Sequence, residues 1–186
     1  MEARYVLFDW LDLLMATGSI LLTPGSAILP DGTTTNLAPA MQRAKSSGTA
    51  PAPYFLQLLY DAASEEWASW AFRMPADYAS APVLKVQFKM TSATSGDVVW
   101  AAQVAAVTDG DATDVDAKVF AVANTATVTV PGTVGYLKEA SITIANADSL
   151  AAGDFVVVRL ARQGAAAGDT ATGDAEMVGA ALTYTA

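Results

Sequence analysis

The chain contains no cysteine and no histidine. The first absence excludes disulfides, thiolate nucleophiles and Cys-ligated zinc; the second removes the commonest general base and metal ligand. Charge is also sparse, at 16% of residues, and unbalanced, with 10 basic against 19 acidic groups. The Lys and Arg residues stand singly, whereas a nucleic-acid backbone is held by clustered cations, which argues against a nucleic-acid partner. The apolar start, MEARYVLFDWLDLLMATGSILL, is interrupted by Asp9 and Asp12, so it is a poor membrane span. It has neither the basic start nor the small-residue cleavage site of a signal peptide, and its polar groups are acidic where a membrane-surface helix would want lysine. No nucleophile elbow or phosphate loop occurs. Glu65 and Glu66, being adjacent, point to opposite sides of an extended chain and cannot flank one bond. No enzymatic activity and no cofactor are expected.

What is present is apolar and small. The apolar fraction is 53%, much of it alanine, as suits closely stacked sheets. The stretch Leu84 to Val107 organises the rest. Leu84, Val86, Phe88 and Met90 alternate with Lys85, Gln87 and Lys89, the period of a half-buried strand. Thr94 to Asp97 supply turn chemistry, and Val98 to Val107 leave as an apolar run, so the stretch is expected to form one antiparallel hairpin. Further strands are expected over 53–62, 66–75, 119–122, 125–130, 136–144, 154–162 and 175–185. In the last of these Val178, Ala180, Leu182 and Tyr184 should share a face. Gly-Asp recurs at 96–97, 110–111, 153–154, 168–169 and 173–174, mostly before a strand, which is turn punctuation without a fixed repeat. The expected fold is all-β: an antiparallel β-sandwich of jelly-roll type over residues 53–186, preceded by an extended N-terminal arm over residues 1–52. Pro24, Gly25, Pro30, Gly32 and Pro39 punctuate that arm, and residues 53–186 are expected to fold without it.

Three groups of residues are candidates for function. Asp109, Asp111, Asp114 and Asp116 could surround calcium, but position six of an EF-hand would be Asp114 and position twelve Phe120, so the plainer reading is a solvated loop and no metal is expected. Trp67 shares a strand face with Arg73, an arrangement able to stack a sugar ring or to fill an interface. In the arm, Tyr5, Phe8, Trp10, Leu11, Leu14 and Met15 are expected to dock on a partner protein, Phe8, Leu11 and Met15 sharing one face if the segment is helical.

The pieces FRMPADY, LKVQFKMTSATSGDVVW, ITIANADSLAAGDFVVVRLAR and DTATGDAEMVGAALTY resemble small β-sandwich domains of virion proteins of tailed bacteriophages, found as head decoration or cement proteins and in fibres and tail attachments. The resemblance covers about residues 53 to 186 and carries no catalytic signature. It implies a structural virion protein, and the charge distribution makes the outer surface of the head the expected place. Residues 53–186 hold 15 acidic and 7 basic groups, whereas residues 1–52 hold 4 and 3. An acidic body turned to solvent and a near-neutral arm against the shell would let the chain cement or decorate a capsid, with the major capsid protein or another virion protein as partner. Sheet faces rich in Ala and Val favour self-association, with a homotrimer expected. The alternative is a fibre or tail adhesin module that binds a host-surface glycan.

Overall fold

A computed structural model describes residues 16–186; the docking candidates Tyr5, Phe8, Trp10, Leu11, Leu14 and Met15 lie outside the described residues. The described residues form ten strands: β1 (Thr17–Leu22), β2 (Ala40–Lys45), β3 (Tyr54–Tyr60), β4 (Glu65–Arg73), β5 (Ser80–Met90), β6 (Asp97–Val107), β7 (Asn124–Thr129), β8 (Lys138–Thr143), β9 (Phe155–Gln163) and β10 (Ala175–Thr185). They make two antiparallel sheets. The first runs β2-β3-β10-β5-β8, with β1 also on β10; the second runs β4-β9-β6-β7. The expected all-β sandwich is the fold. Among the described residues no helix is long and apolar enough to cross a membrane.

The core lies between the sheets. Leu84, Val86, Phe88 and Met90 of β5 are buried on one side, Val156, Val158 and Leu160 of β9 on the other. The expected hairpin over 84–107 is not one. β5 pairs with β10 and β8, β6 with β7 and β9, so residues 91–96 carry the chain from one sheet to the other. The apolar faces of the two strands therefore meet across the core, where the Phe88 and Trp100 rings contact edge to face at 5.4 Å. Gly96 makes this passage with φ +91, and a Cβ there would lie 2.8 Å from the Thr170 carbonyl oxygen.

Residues 17–45, expected to form an arm outside the sandwich, supply two of its strands. β1 pairs with β10 from Thr17 opposite Thr185 to Leu22 opposite Ala180, and Leu22 is buried. Gly18 lets the Tyr184 ring lie flat across β1, since a Cβ there would sit 2.0 Å from the ring. The segment then wraps the edge of β4. Ile28 and Ser69 exchange backbone hydrogen bonds of 2.8 and 3.0 Å, and the Trp67 N–H donates to the Leu37 carbonyl at 3.0 Å. The Trp70 indole N–H donates to the Thr23 carbonyl at 2.9 Å. The physical reason is the backbone: β10 and β4 would otherwise leave unpaired N–H and C=O groups at their edges.

Two further expectations are corrected. Residues 119–122 form no strand and belong to a loop over 108–123. In β10 the register against β5 shifts between Met177 and Gly179, so the inward phase passes from Ala175 and Met177 to Ala180, Leu182 and Tyr184 and leaves Val178 out. One inward position carries a charge. Arg162 of β9 is fully buried and bonds to both oxygens of Asp169, at 3.0 and 2.7 Å. It also donates to the carbonyls of Tyr60, Gly173 and Ala171 at 3.3, 2.8 and 2.8 Å. All five of its N–H donors are engaged, as a buried guanidinium requires, and the loop after β9 is tied over that end of the core.

Candidate functional site

The largest depression described lies at one end of the outer face of the second sheet. The alternation that turns Val156 and Val158 inward turns Phe155 outward, and strand register sets Arg73 of β4 and Val107 of β6 on either side of it. The chain leaves β6 at Val107 and makes a tight turn, with the Asp111 N–H donating to the Thr108 carbonyl at 3.1 Å and Gly110 at φ +88. That turn raises Asp109 and Asp111 as the far wall of an open groove of about 530 Å³. Arg73 lines the groove and is held there by its Nε–H, which donates to the Gly153 carbonyl at 3.0 Å. Phe155 forms the floor and is 44% exposed.

The rest of the 108–123 loop folds back over the same face. Val115, Lys118 and Phe120 close a small apolar pocket of about 100 Å³ against Ala105, Val107, Phe155 and Val157. The loop is pinned at several points. The Ala121 N–H donates to the Val104 carbonyl at 2.9 Å, Gln103 donates to the Ala121 carbonyl at 2.9 Å, and Lys118 pairs with Asp148 at 2.8 Å. The groove wall therefore stands on a braced base.

The four aspartates are not brought together as a cation would need. Asp109 and Asp111 line the groove, whereas Asp114 turns back to accept the Asp116 N–H at 3.0 Å. Among the described residues no three acidic side chains group at metal-binding spacing. Trp67 and Arg73 do share the outward phase of β4, but they stand at its two ends. The guanidinium over Trp67 is that of Arg159, 5.0 Å from the ring centre, and Phe120 meets the indole edge to face at 6.5 Å. Arg159 is itself bonded to Glu65 at 2.6 Å and to Gln103. Trp67 thus helps to seal the sheet face and is not an open platform.

Sequence reasoning missed Phe155, although its signal was available: in DFVVVRLAR the outward phase begins with an aromatic at the strand end. A second, smaller depression of about 220 Å³ lies on the outer face of the first sheet, with Gly179 and Ala181 as floor between Leu21 and the Lys85–Glu139 pair.

No protein-family model matches the chain, and no curated protein matches it. Solved structures of similar outline exist. CBM35 from Cellvibrio japonicus Abf62 is 10% identical at a TM-score of 0.45, over 90% of this chain and 97% of that one. The C-terminal CBM6 of LamC from Zobellia galactanivorans is 8% identical at 0.41, over 89% and 99%. CBM27-1 of Caldicellulosiruptor saccharolyticus, solved in complex with mannohexaose, is 10% identical at 0.41, over 90% and 97%. All lie below a TM-score of 0.5, and the fold stands on the strand pairing itself.

Proposed function

We propose that this chain is a non-enzymatic binding module that takes a carbohydrate in the Arg73–Phe155 groove. The observation that carries the reading is a half-exposed aromatic ring set between a guanidinium and two carboxylates. A sugar ring has an apolar C–H face and a rim of hydroxyls. Phe155 offers the surface for the face, Arg73 donates to hydroxyl oxygens, and Asp109 and Asp111 accept from hydroxyl hydrogens. The volume falls within the range of about 300–1,000 Å³ usual for ligand sites, and an open groove suits a segment within a chain. The test is a screen of oligosaccharides by calorimetry, followed by Phe155→Ala and Arg73→Ala. Each substitution should weaken binding by about tenfold or more, the loss expected when a buried contact of about 1.4 kcal/mol is removed. Binding that survives both changes, or no binding to any neutral or acidic oligosaccharide, ends the proposal.

A second reading, a decoration or cement protein on the outer surface of a phage head, is favoured by a different observation. The β2–β3 hairpin exposes Met41, Tyr54 and Leu56 on one face and Phe55 on the other, apolar surface suited to a protein partner. On this reading the partner is the major capsid protein or another virion protein, and the chain acts as a homotrimer. Incubation with capsids lacking the protein tests it: specific binding that Tyr54→Ala and Phe55→Ala abolish supports it, and absence of binding removes it.

A further inference from the structure

We infer that the β2–β3 hairpin of one copy docks on residues 114–122 of a second copy, so that the chain self-associates head to tail. β3 pairs with β10 only from Leu58 to Tyr60, whereas it pairs with β2 from Tyr54 to Leu59. Among the described residues, the far part of the hairpin, from Arg43 opposite Leu56 to Lys45 opposite Tyr54, therefore has no third strand beside it. Its side chains are apolar and basic. Tyr54 is 59% exposed, with Arg43 and Lys45 at 5.6 and 5.8 Å from its ring centre, and Met41 and Phe55 are exposed nearby. Between Asp31 and Asp61 there is no carboxylate, and Arg43 and Lys45 are the charged residues. A doubly positive ribbon thus projects from a chain of formal net charge −9.

What fits such a ribbon is apolar and acidic, and the chain carries that surface elsewhere. Val119 and Val122 are 77% and 74% exposed, on the same loop as the exposed carboxylates of Asp114 and Asp116. They stand on the braced 108–123 loop, on the outer face of the second sheet, while the hairpin belongs to the edge of the first. Two hairpins facing each other across a two-fold axis would set four cations together, so the charges favour unlike surfaces meeting. A contact of unlike surfaces repeats from copy to copy, and it closes into a ring when the rotation per copy divides a full turn.

The test is sedimentation velocity of the full chain over a concentration series, at low and at high salt. Association should appear at low salt and weaken at high salt, because the charges are exposed and screened. Arg43→Glu with Lys45→Glu, and separately Asp114→Lys with Asp116→Lys, should each weaken self-association by about tenfold or more. Mixing the two double variants should restore assembly, since each then offers the charge the other lacks. Thermal melts check that both remain folded; if a reversal unfolds the chain, Arg43→Gln with Lys45→Gln replaces it. A wild type that stays monomeric at every concentration overturns the inference. So does a variant pair that associates like the wild type, or a mixture that stays monomeric. None of these four residues lines the Arg73–Phe155 groove, although Val115 between two of them does, so oligosaccharide binding measured on the same variants tells the two proposals apart.

Discussion

The two sheets turn unlike faces outward. On the first, polar side chains form a ladder across four strands. Lys89 pairs with Glu176, Gln57 donates to Glu176 at 2.7 Å and to Gln42 at 2.8 Å, and Lys85 lies 3.5 Å from Glu139. On the second, Val99, Ala101, Ala105 and Ala161 are buried although they point away from the core. Trp67, Phe120 and the loops over 108–123 and 164–170 cover them: Phe120 lies against Trp67, a Cβ on Gly168 would lie 3.4 Å from Val99, and Asp169 accepts the Val99 N–H at 3.0 Å. The comparison explains a contrast in sequence. β5 alternates because its outward side meets water, whereas β6 reads VVWAAQVAA because both its sides are covered. Where a loop lies flat on a sheet, the alternation that marks a strand disappears.

The largest effect is expected from removing strands of one sheet alone. A chain beginning at Ser47 loses β1 and β2, both from the first sheet, together with the wrap along β4; it should lose cooperative melting and its near-ultraviolet circular dichroism. Retention of both would show that residues 53–186 fold alone and that β1 and β2 only decorate the sheet. Next, an equal charge placed on each outer face should separate them. Ala101→Asp buries a carboxylate on the covered face and should cost about 3 kcal/mol or more, while Gln87→Asp, on the solvated face, should stay within about 1 kcal/mol. Similar values in chemical denaturation would mean that the second face is open. Phe120→Ala tests the cover itself. The ring is half-buried, so a loss of about 1–3 kcal/mol is expected, with faster proteolysis within 108–123. No change in either would show that the loop lies on the sheet without holding to it.

The smallest effect concerns an ionisable group on neither outer face. Partial burial raises the Glu66 carboxyl above its usual range, against the lowering by the Asp61 N–H that it accepts at 2.8 Å. A folded value above the unfolded one means that the folded chain holds the proton more tightly. That contribution is complete below the ordinary value of the unfolded carboxyl and is lost as pH rises through the folded value. Glu66→Gln cannot titrate, so the wild type should lose thermal midpoint relative to it as pH rises from there toward neutrality. Parallel curves would show that the carboxyl does not titrate with folding.

Much of the fold was legible because strands announce their buried sides. The inward residues of β4, β5, β8 and β9 follow from alternation alone. β10 was misphased at Val178 because the bulge at Met177 to Gly179 leaves no local mark beyond a glycine. Residues 17–45 read as an arm because Pro and Gly punctuate them, yet those residues turn the chain between strands and do not prevent pairing. The candidate site was half legible. Asp109 and Asp111 stood out as acidic loop residues, but their neighbours Arg73 and Phe155 come from strands far away in sequence, joined only through register.

The sequence by itself determined an all-β chain without thiol or imidazole chemistry, and which side of most strands is buried, since side-chain pattern is a local property. Only the tertiary structure decided that β5 and β6 lie in different sheets, that β1 completes the edge beside β10, and that Arg73, Phe155 and Asp109 share a groove. Strand partners are joined by backbone N–H and C=O groups, which nearly every residue carries alike. A strand's own sequence therefore shows its faces but not its neighbours.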